Sequence, residues 1–519
     1  MEKLQLKNFR SIIDSGEIDI KPLTVLLGKN SCGKSSFIRM FPLIKQSLEV
    51  DIQEPILWFG NYVDFGDYDN IIPKNKSKDS DAFKMAFELN LLPQGKFYYG
   101  DFRSFQYARF IDKKEALDKL TVHVEIEFKQ RNISSLELKF FDQIFYCEFN
   151  ENNKLGKCII NGFENIEGLE NYKLLKSKGD FLPNIIYQPK EKIDKYISFY
   201  HVQEVAFLPI AKIFEEEVKT KSQKKTIIDF IIKGIWIQSK SKLLEYLKGS
   251  KTQIAIKNYF ADKDITDNIF CKINNQMVLS IIPALIGAIN TNLDDLFYNT
   301  FYIKPLRASA NRYYRVQGLN TKNVDPDGSN LPMVLYNMSE DMQKHFSNWC
   351  NKQLGLMFSL KKQEGHVSLM VKTDDNYEVN LTDTGYGYSQ MLPILLQLWL
   401  LMEKNSTKAT PFCTEYRIII EQPELHLHPA FQSKLIDVFV SLVKSINESG
   451  NKIKIIFETH SEVMINRIGT LISRKTIKRD DVNIVLVSKE NDVSSFHQTN
   501  FDDNGFINKW PVGFMSPED

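Results

Sequence analysis

The chain has 519 residues, of which 43% are hydrophobic and 25% are charged, and its formal net charge is +1. These values are close to those of an average globular protein, so they exclude a wholly disordered chain and a strongly basic nucleic-acid-coating protein. The six cysteines form no Cys-x-x-Cys pair, which argues against a zinc knuckle or a disulfide framework. The N-terminus, MEKLQLKNFRS, does not resemble a signal peptide, and we find no apolar run of about 18 residues. We therefore expect a cytoplasmic protein without a membrane partner.

The N-terminal half of the chain predicts strands first and helices later. Residues 4–9 alternate in polarity, residues 23–27 form a short apolar run that ends at Gly28, and helical character starts at Ser35. Strand-like runs then follow at 83–91, 120–128, 134–149 and 157–160. Apolar residues at three- and four-residue spacing predict helices over 205–300.

The C-terminal half begins with a loop system at 301–333, rich in Pro, Gly and Asn. Beyond it we predict a helix at 335–352, strands at 355–360 and 366–371, a helix at 389–403, a strand at 416–420, a helix at 429–446, a strand at 453–457, a helix at 461–473 and a strand at 482–487. This alternation predicts an α/β fold with a mainly parallel sheet. The predicted domains are an N-terminal lobe (1–78), an α+β and helical insertion (79–300) and a C-terminal lobe (301–519).

The strongest motif is Gly28-Lys-Asn-Ser-Cys-Gly-Lys-Ser35, which matches GxxxxGK[ST] between a predicted strand and a predicted helix. Such a P-loop wraps phosphates with backbone N–H groups and the positive end of a helix. Lys34 would reach the β- and γ-phosphates of ATP, and the Ser35 hydroxyl would ligate Mg²⁺. The predicted nucleotide-binding residues are Asn30, Ser31, Cys32, Gly33, Lys34, Ser35 and Ser36.

A P-loop needs an acidic residue at the end of another buried strand, and the segment Tyr416–Pro429 supplies one. Three isoleucines lead to Glu421, which would lie at the carboxyl end of a parallel strand. We predict that Ser35 and Glu421 together hold the metal, with Glu421 acting through water. The alternative is a buried carboxylate satisfied by hydrogen bonds alone.

Two further segments fit the same site. Asp383-Thr-Gly-Tyr-Gly-Tyr-Ser-Gln390 precedes an apolar helix, so Ser389 and the following amides could donate to a phosphate; by itself it could equally be a glycine-rich turn. Lys454-Ile-Ile-Phe-Glu-Thr-His-Ser461 is a strand that ends in His460, which could contact a γ-phosphate or be purely structural.

With all four motifs in this order, the chain resembles the ABC-type, AAA-family ATPases of the structural-maintenance-of-chromosomes and RecF group. It resembles still more the overcoming-lysogenization-defect group and its bacterial defence relatives. The resemblance covers roughly 1–75 and 300–519. It implies that Glu421 is the Walker B acid and His460 the switch histidine. It also implies that ATP is sandwiched between subunits, with Gly387, Ser389 and Gln390 of one subunit facing the P-loop of another in a homodimer or higher oligomer.

The sequence departs from that family pattern at Gln422, where a glutamate usually polarises the attacking water. An amide cannot accept a proton at neutral pH. Losing a general base typically costs about 10²–10⁴ in rate. We therefore expect slow ATP hydrolysis, or catalysis with help from Glu424 or His460.

The resemblance also implies a biological role. Nuclease members carry a C-terminal domain of the topoisomerase–primase type, and residues 461–519 leave no room for one, so we expect a separate nuclease or toxin effector. A Septu-type ATPase paired with an HNH nuclease, or its retron-associated form, is the closest analogue. The alternative is a RecF-like DNA-repair ATPase. Lys304, Arg307, Arg312 and Arg315, interleaved with tyrosines, could contact DNA, RNA or a partner, or instead form an internal loop network.

Overall fold

A computed structural model describes residues 1–52, 54–73, 81–91, 120–150, 155–164, 166–175, 180–188, 207–220, 238–249, 253–318, 321–372, 377–406 and 415–508, together with 222, 226–227 and 230–231. Parts of the predicted helical segment 205–300 lie outside these residues.

The strands, in chain order, are β1 (Lys3–Phe9), β2 (Ile12–Asp14), β3 (Ile18–Asp19), β4 (Leu23–Gly28), β5 (Ala82–Leu91), β6 (Leu120–Lys129), β7 (Asn132–Phe140), β8 (Gln143–Phe149), β9 (Leu155–Ile160), β10 (Tyr172–Leu175), β11 (Asn184–Tyr187), β12 (Thr300–Ile303), β13 (Tyr314–Arg315), β14 (Met357–Gln363), β15 (His366–Lys372), β16 (Glu378–Asn380), β17 (Glu415–Glu421), β18 (Lys452–Thr459), β19 (Val482–Glu490) and β20 (Val493–Thr499). The α-helices are α1 (Lys34–Ile38), α2 (Met40–Glu49), α3 (Tyr68–Ile71), α4 (Leu208–Glu216), α5 (Lys240–Lys248), α6 (Ile254–Phe260), α7 (Asn268–Tyr298), α8 (Leu331–Asn337), α9 (Glu340–Leu354), α10 (Tyr386–Ser406), α11 (Pro429–Glu448) and α12 (Glu462–Ser473).

The chain folds into two compact units. The first comprises Met1–Asn8, Ser47–Leu57 and Lys74–Asp295; the second comprises Phe9–Gln46, Trp58–Pro73 and Leu296–Asp519. These limits differ from the predicted segments 1–78, 79–300 and 301–519. At the N-terminus the limits differ because β1 pairs with β5, a strand of the first unit. Residues Met1–Asn8 therefore belong to the first unit, whereas the P-loop belongs to the second.

The second unit is built on a sheet with the strand order β12-β17-β18-β4-β19-β20-β2. The pairs from β12 to β19 are all parallel, whereas β20 runs antiparallel to β19. β17 is buried over almost its whole length, as expected for a central strand covered on both faces. The predicted α/β fold with a mainly parallel sheet is confirmed.

Apolar helix faces complete the core of the second unit. Trp399 of α10 is almost fully buried, and its ring lies 5.4 Å from that of Phe346 on α9 in an edge-to-face contact. Phe439 of α11 meets Phe457 of β18 at 5.5 Å. Burial of each such side chain stabilises the unit by roughly 1.5–3 kcal/mol. The packed sheet and helices together support the loops at the carboxyl ends of the strands.

The first unit contains an antiparallel sheet with the order β1-β5-β6-β7-β8-β9. Along β6 buried and half-buried residues alternate, which is the pattern of a strand with one face on a core. The helices α4, α5 and α6 belong to the same unit, so the predicted α+β insertion is present.

Helix α7 is apolar along most of its length. Within the described residues it is long and apolar enough to cross a membrane, but 78% of its apolar stretch is buried inside the structure. A helix buried in the core of a protein can have the same length and apolar composition. Single polar residues interrupt its apolar run, so the sequence contains no continuous apolar stretch of about 18 residues here.

Several of the observed elements differ from the predicted ones. The run 134–149 is two strands, β7 and β8, joined by a turn. The predicted loop at 301–333 contains β12, an edge strand of the parallel sheet, and the start of α8. β20 was not predicted, because its sequence is mostly polar and its residues are mostly exposed or half-buried.

Candidate functional site

The predicted P-loop connects β4 to α1. Gly28 ends the strand, and α1 begins at Lys34. Between them, Ser31 and Gly33 adopt positive φ angles of 59° and 110°. A side chain at Gly33 would also place its Cβ only 2.5 Å from the Ser494 hydroxyl, so the position requires glycine. The loop therefore has the tight, left-handed turns with which P-loops turn their N–H groups toward an anion.

The Lys34 side chain is folded back onto this loop. Its ammonium group donates to the carbonyl oxygens of Gly28 at 3.0 Å and Lys29 at 2.9 Å, and the residue is almost fully buried. A phosphate in the loop would offer this cation oxygen acceptors that carry more charge. Of the other residues predicted to bind nucleotide, Asn30 and Ser31 are exposed, Cys32 is buried, and Gly33, Ser35 and Ser36 are half-buried.

The Ser35 hydroxyl contacts a carboxylate that the sequence analysis did not select. It donates to both carboxylate oxygens of Glu458, at 2.8 and 2.9 Å. Burial and the nearby charge of Glu421 raise the pKa of Glu458 to about 7, although the hydrogen bond from Ser35 acts in the opposite direction. Glu458 is the second-to-last residue of β18, which ends at the threonine before His460.

Glu421 lies at the end of β17, as predicted, with a fully buried carboxylate. Arg39 forms a two-pronged ion pair with it, with both N···O distances at 2.7 Å. Tyr302 of β12 donates to the same carboxylate at 2.6 Å. The hydrogen bonds from Arg39 to Glu421, and the charge of that carboxylate, raise the pKa of Arg39. Burial raises the pKa of Tyr302. Neither Arg39 nor Tyr302 was identified from the sequence.

The three residues predicted to act in catalysis follow β17 and β18. Gln422 has a positive φ of 44°, and its N–H donates to the carbonyl of Glu458 at 3.1 Å. One carboxylate oxygen of Glu424 accepts the backbone N–H of His460 at 2.7 Å. The other is buried and has no hydrogen-bond partner among the described residues, and burial raises the pKa of Glu424. Desolvation, and then the charge of Lys34, lower the pKa of His460. The structure thus brings Gln422, Glu424 and His460 to one edge of the sheet, beside the P-loop.

The predicted signature segment lies at the start of α10. The Ser389 hydroxyl donates to the carbonyl of Tyr386 at 2.8 Å and is buried. A Cβ at Gly387 would lie 2.8 Å from the carbonyl oxygen of His426, so the helix start packs closely on the loop after β17. Gln390 is also buried and joins the segment to Arg307: its amide accepts the Arg307 N–H at 3.2 Å and donates to the Arg307 carbonyl at 3.1 Å.

Arg307 does not lie on an exposed basic surface, which corrects that expectation for this residue. It is 6% exposed, and its guanidinium donates to the carbonyls of Glu421 at 2.9 Å and Gln422 at 3.3 Å. Its Nε and Nη1 atoms are buried without a hydrogen-bond partner among the described residues, and burial lowers its pKa to about 10. Arg307 therefore acts as an internal support of the loop that carries Gln422.

The other members of the predicted basic group differ in their surroundings. Lys304 donates to the carbonyl of Asn61 at 2.8 Å, and Arg312 forms an ion pair with Asp383. Arg315 is exposed on β13, as is the neighbouring Tyr313. Three of the four cations thus have contacts within the chain, in keeping with the internal network left open by the sequence.

Glu458 could have been found from strand order but not from the motif alone. The motif that contains Glu458 points to His460. Glu458 itself lies beside the P-loop only because β18 lies between β17 and β4 in the sheet. Arg39 and Tyr302 carry no local signal, because an arginine between two helices and a tyrosine in a strand are common, and their partner Glu421 lies far away in the sequence.

Comparison with known proteins gives a family for the chain. Residues 1–465 match the family described as AAA ATPase domain. A search of curated proteins gives no match. Among solved structures, the chain is similar to an Smc head domain with an extended coiled coil bound to the C-terminal domain of ScpA, from Pyrococcus furiosus, at 13% identity over 96% of each chain with a TM-score of 0.35. It is also similar to the SMC head domain from Thermotoga maritima, at 10% identity over 96% of this chain and 97% of that one with a TM-score of 0.33.

The structural likenesses are too low in identity and TM-score to support an argument. The family match stands without them, because it extends from residue 1 to residue 465 and includes every motif described above. It agrees with a P-loop at the end of β4 and acidic residues at the ends of β17 and β18. The chain therefore belongs to the AAA ATPase domain family.

Proposed function

We propose that this chain is an ABC-type ATPase that binds ATP·Mg²⁺, hydrolyses it slowly and uses the bound nucleotide to set its assembly state. Membership of an ATPase domain family supports nucleotide binding. The observation that carries the slow turnover is Gln422, whose amide stands at the end of the Walker B strand where a general base is expected. A hydrogen bond from its N–H to the Glu458 carbonyl fixes the backbone of Gln422. The side-chain amide can orient a water molecule, but it cannot take a proton from it.

The oxygen donors beside the P-loop suit Mg²⁺. The Ser35 hydroxyl and the carboxylates of Glu421 and Glu458 are hard ligands of the kind that Mg²⁺ prefers. When bound, Mg²⁺ would neutralise charge on the terminal phosphates. Lys34 would hold the same phosphates and Ser35 would orient the metal. Of the nearby groups, Glu424 is the best substitute base, because one of its carboxylate oxygens makes no hydrogen bond within the described residues.

We further propose that ATP joins two copies of this chain, with Gly387, Ser389 and Gln390 of one copy against the P-loop of the other. The support is the sequence resemblance together with the small residue Gly387 and the Ser389 hydroxyl near the start of α10. A ligand that bridges two chains favours the dimer by mass action. The Ser389 hydroxyl would exchange its bond to the Tyr386 carbonyl for one to a phosphate.

The proposed role is that of a cytoplasmic sensor or regulatory subunit in a bacterial anti-phage complex with a separate nuclease, HNH-type being favoured. This role rests on the resemblance to defence ATPases. In such a complex the nucleotide state would decide whether the effector is held or released. Direct contact with DNA or RNA through Arg315 and Tyr313 is the feature that would favour a RecF-like ATPase instead.

The test is purification of the tagged protein from its native operon with and without ATP·Mg²⁺. We expect a stoichiometric partner with nuclease motifs, a nucleotide-dependent change in its retention, and a hydrolysis rate below about 1 s⁻¹ per site, near the bottom of the usual enzyme range. A protein that elutes alone, retains DNA and dimerises with ATP would overturn the defence role in favour of the RecF-like one. Faster hydrolysis would overturn the slow-turnover proposal.

A further inference from the structure

The strand register places two glutamates at the same level of the parallel sheet. Glu421 of β17 is the register partner of Glu458 of β18, and Glu458 is the partner of Leu26 of β4. Neighbouring strands lie about 4.8 Å apart, so the backbone of Glu458 is one strand from β4 and that of Glu421 about 9.6 Å away. Since the P-loop continues β4, Glu458 is the nearer of the two carboxylates to the Ser35 hydroxyl.

The hydrogen-bond partners of the two carboxylates also favour Glu458 as the metal contact. Both oxygens of Glu421 accept from Arg39 at 2.7 Å, and Tyr302 adds a third hydrogen bond. A metal ion that bound Glu421 directly would have to displace a guanidinium from a buried carboxylate. Both oxygens of Glu458 instead face Ser35, the residue that ligates Mg²⁺ in P-loop proteins.

Local charge points the same way. The guanidinium of Arg39 balances the carboxylate of Glu421 within one ion pair. The carboxylate of Glu458 has no such cation at hydrogen-bond distance within the described residues; the partner of both its oxygens is the Ser35 hydroxyl. A divalent cation at Ser35 would therefore meet a carboxylate whose oxygens are not held in an ion pair within the described residues.

We propose that Glu458, rather than Glu421, is the protein carboxylate that contacts the Mg²⁺ of bound nucleotide together with Ser35, while Glu421 holds Arg39 and Tyr302 in place. This inference rests on the proposed binding of ATP·Mg²⁺. It assigns the metal contact to the strand next to the P-loop strand and gives the Walker B residue a supporting role.

The test measures how strongly Mg²⁺ improves nucleotide affinity, which is a binding readout. The dissociation constant of a fluorescent ATP analogue is measured in EDTA and in excess MgCl₂, and their ratio is taken for each protein. For Glu458→Gln we expect the ratio to fall at least about tenfold, while affinity in EDTA is unchanged or tighter because a negative charge near the phosphates is lost. For Glu421→Gln we expect the ratio to change less than for Glu458→Gln, because the Glu421 carboxylate is held by Arg39 and Tyr302.

Controls separate a metal effect from a folding effect. Glu462→Gln removes an exposed carboxylate at the start of α12, close by in the chain, and should leave the ratio unchanged. Affinity in EDTA reports whether each variant folds. If Glu458→Gln does not fold, Glu458→Asp takes its place: it keeps the charge on a shorter side chain, and its ratio should fall below that of the wild type by a smaller factor.

The outcomes distinguish this inference from the proposed function. A wild type that binds no analogue in either buffer would overturn both. A wild type that binds it, with a full Mg²⁺ effect retained by Glu458→Gln, or with the effect lost in Glu421→Gln instead, would overturn the assignment of Glu458 and leave the ATPase proposal standing.

Discussion

Replacement of Arg39 by methionine should destabilise the second unit by about 3 kcal/mol. The side chain of Glu421 is 0% exposed and that of Arg39 is 31% exposed, so the variant leaves a fully buried carboxylate without its cation. Removal of one partner from a buried ion pair costs about 3–5 kcal/mol. We take the lower figure because Arg39 is partly hydrated and Tyr302 still donates to Glu421. For a unit of this size the expected fall in Tm is about 6–12 °C.

The assay is a double-mutant cycle followed by thermal unfolding. Arg39→Met and Glu421→Gln together should cost less than the sum of the two single changes, by at least about 2 kcal/mol. Arg467 and Asp437 supply the matched comparison, since they form the same two-pronged pair at 2.8 and 2.9 Å with side chains 28% and 33% exposed. Their coupling should stay below about 1 kcal/mol. Equal coupling energies in the two pairs would refute the argument that burial makes the Arg39 pair strong.

Three further predictions concern the same unit. Gln390→Met removes both hydrogen bonds to the Arg307 backbone and should lower stability by about 2 kcal/mol, or about 4–8 °C in Tm. Gln422→Glu supplies the missing general base and should raise ATP hydrolysis about 10²-fold or more in a phosphate-release assay. Burial raises the pKa of Glu415, but Arg417 and Lys454 outweigh it, so the folded-state pKa lies below the ordinary value of 4.5. The stabilisation by Glu415 is thus complete above about pH 4.5 and disappears as the pH falls, and the Tm difference between wild type and Glu415→Gln should shrink from pH 6 to pH 3.

The stability and pH predictions each have a matched control, and the hydrolysis prediction has an outcome that would contradict it. Gln397→Met, seven residues along the same helix, removes one hydrogen bond, to the Val324 N–H at 3.1 Å, and should cost about half as much as Gln390→Met. An unchanged rate in Gln422→Glu would show that another group already serves as the base. Glu448→Gln, at an exposed helix end, should keep the pH dependence of the wild type. A similar flattening in both glutamate variants would contradict the Glu415 argument.

Local patterns in the sequence were enough to predict the P-loop and the central strands. Residues 25–27 before Gly28 and residues 418–420 before Glu421 are apolar, and fully buried parallel strands are rich in such residues. By contrast, β12 has only four residues beside a proline-containing loop, and β20 is mostly polar, so neither gave a period that distinguishes a strand from a loop.

Motifs select some residues of the candidate site, whereas others come together only through pairing of distant segments. Lys34, Ser35 and Glu421 follow from spacing within short segments. The position of Glu458 follows from strand order, and the burial of Arg307 follows from the packing of a loop against β17 and α10. No pattern within 20 residues of either position encodes those contacts, so only the assembled sheet could reveal them.

The position of β4 within its sheet has a consequence for biosynthesis. Residues 23–28 pair on one side with β18 and on the other with β19, both more than 420 residues later in the chain. At about 5–20 residues per second, the ribosome makes the partners of the P-loop strand roughly 20–90 s after the strand itself. Closing such long loops before the contacts form is slow. During that interval the strand has neither neighbour, so the nucleotide site can form only after β19 has been translated.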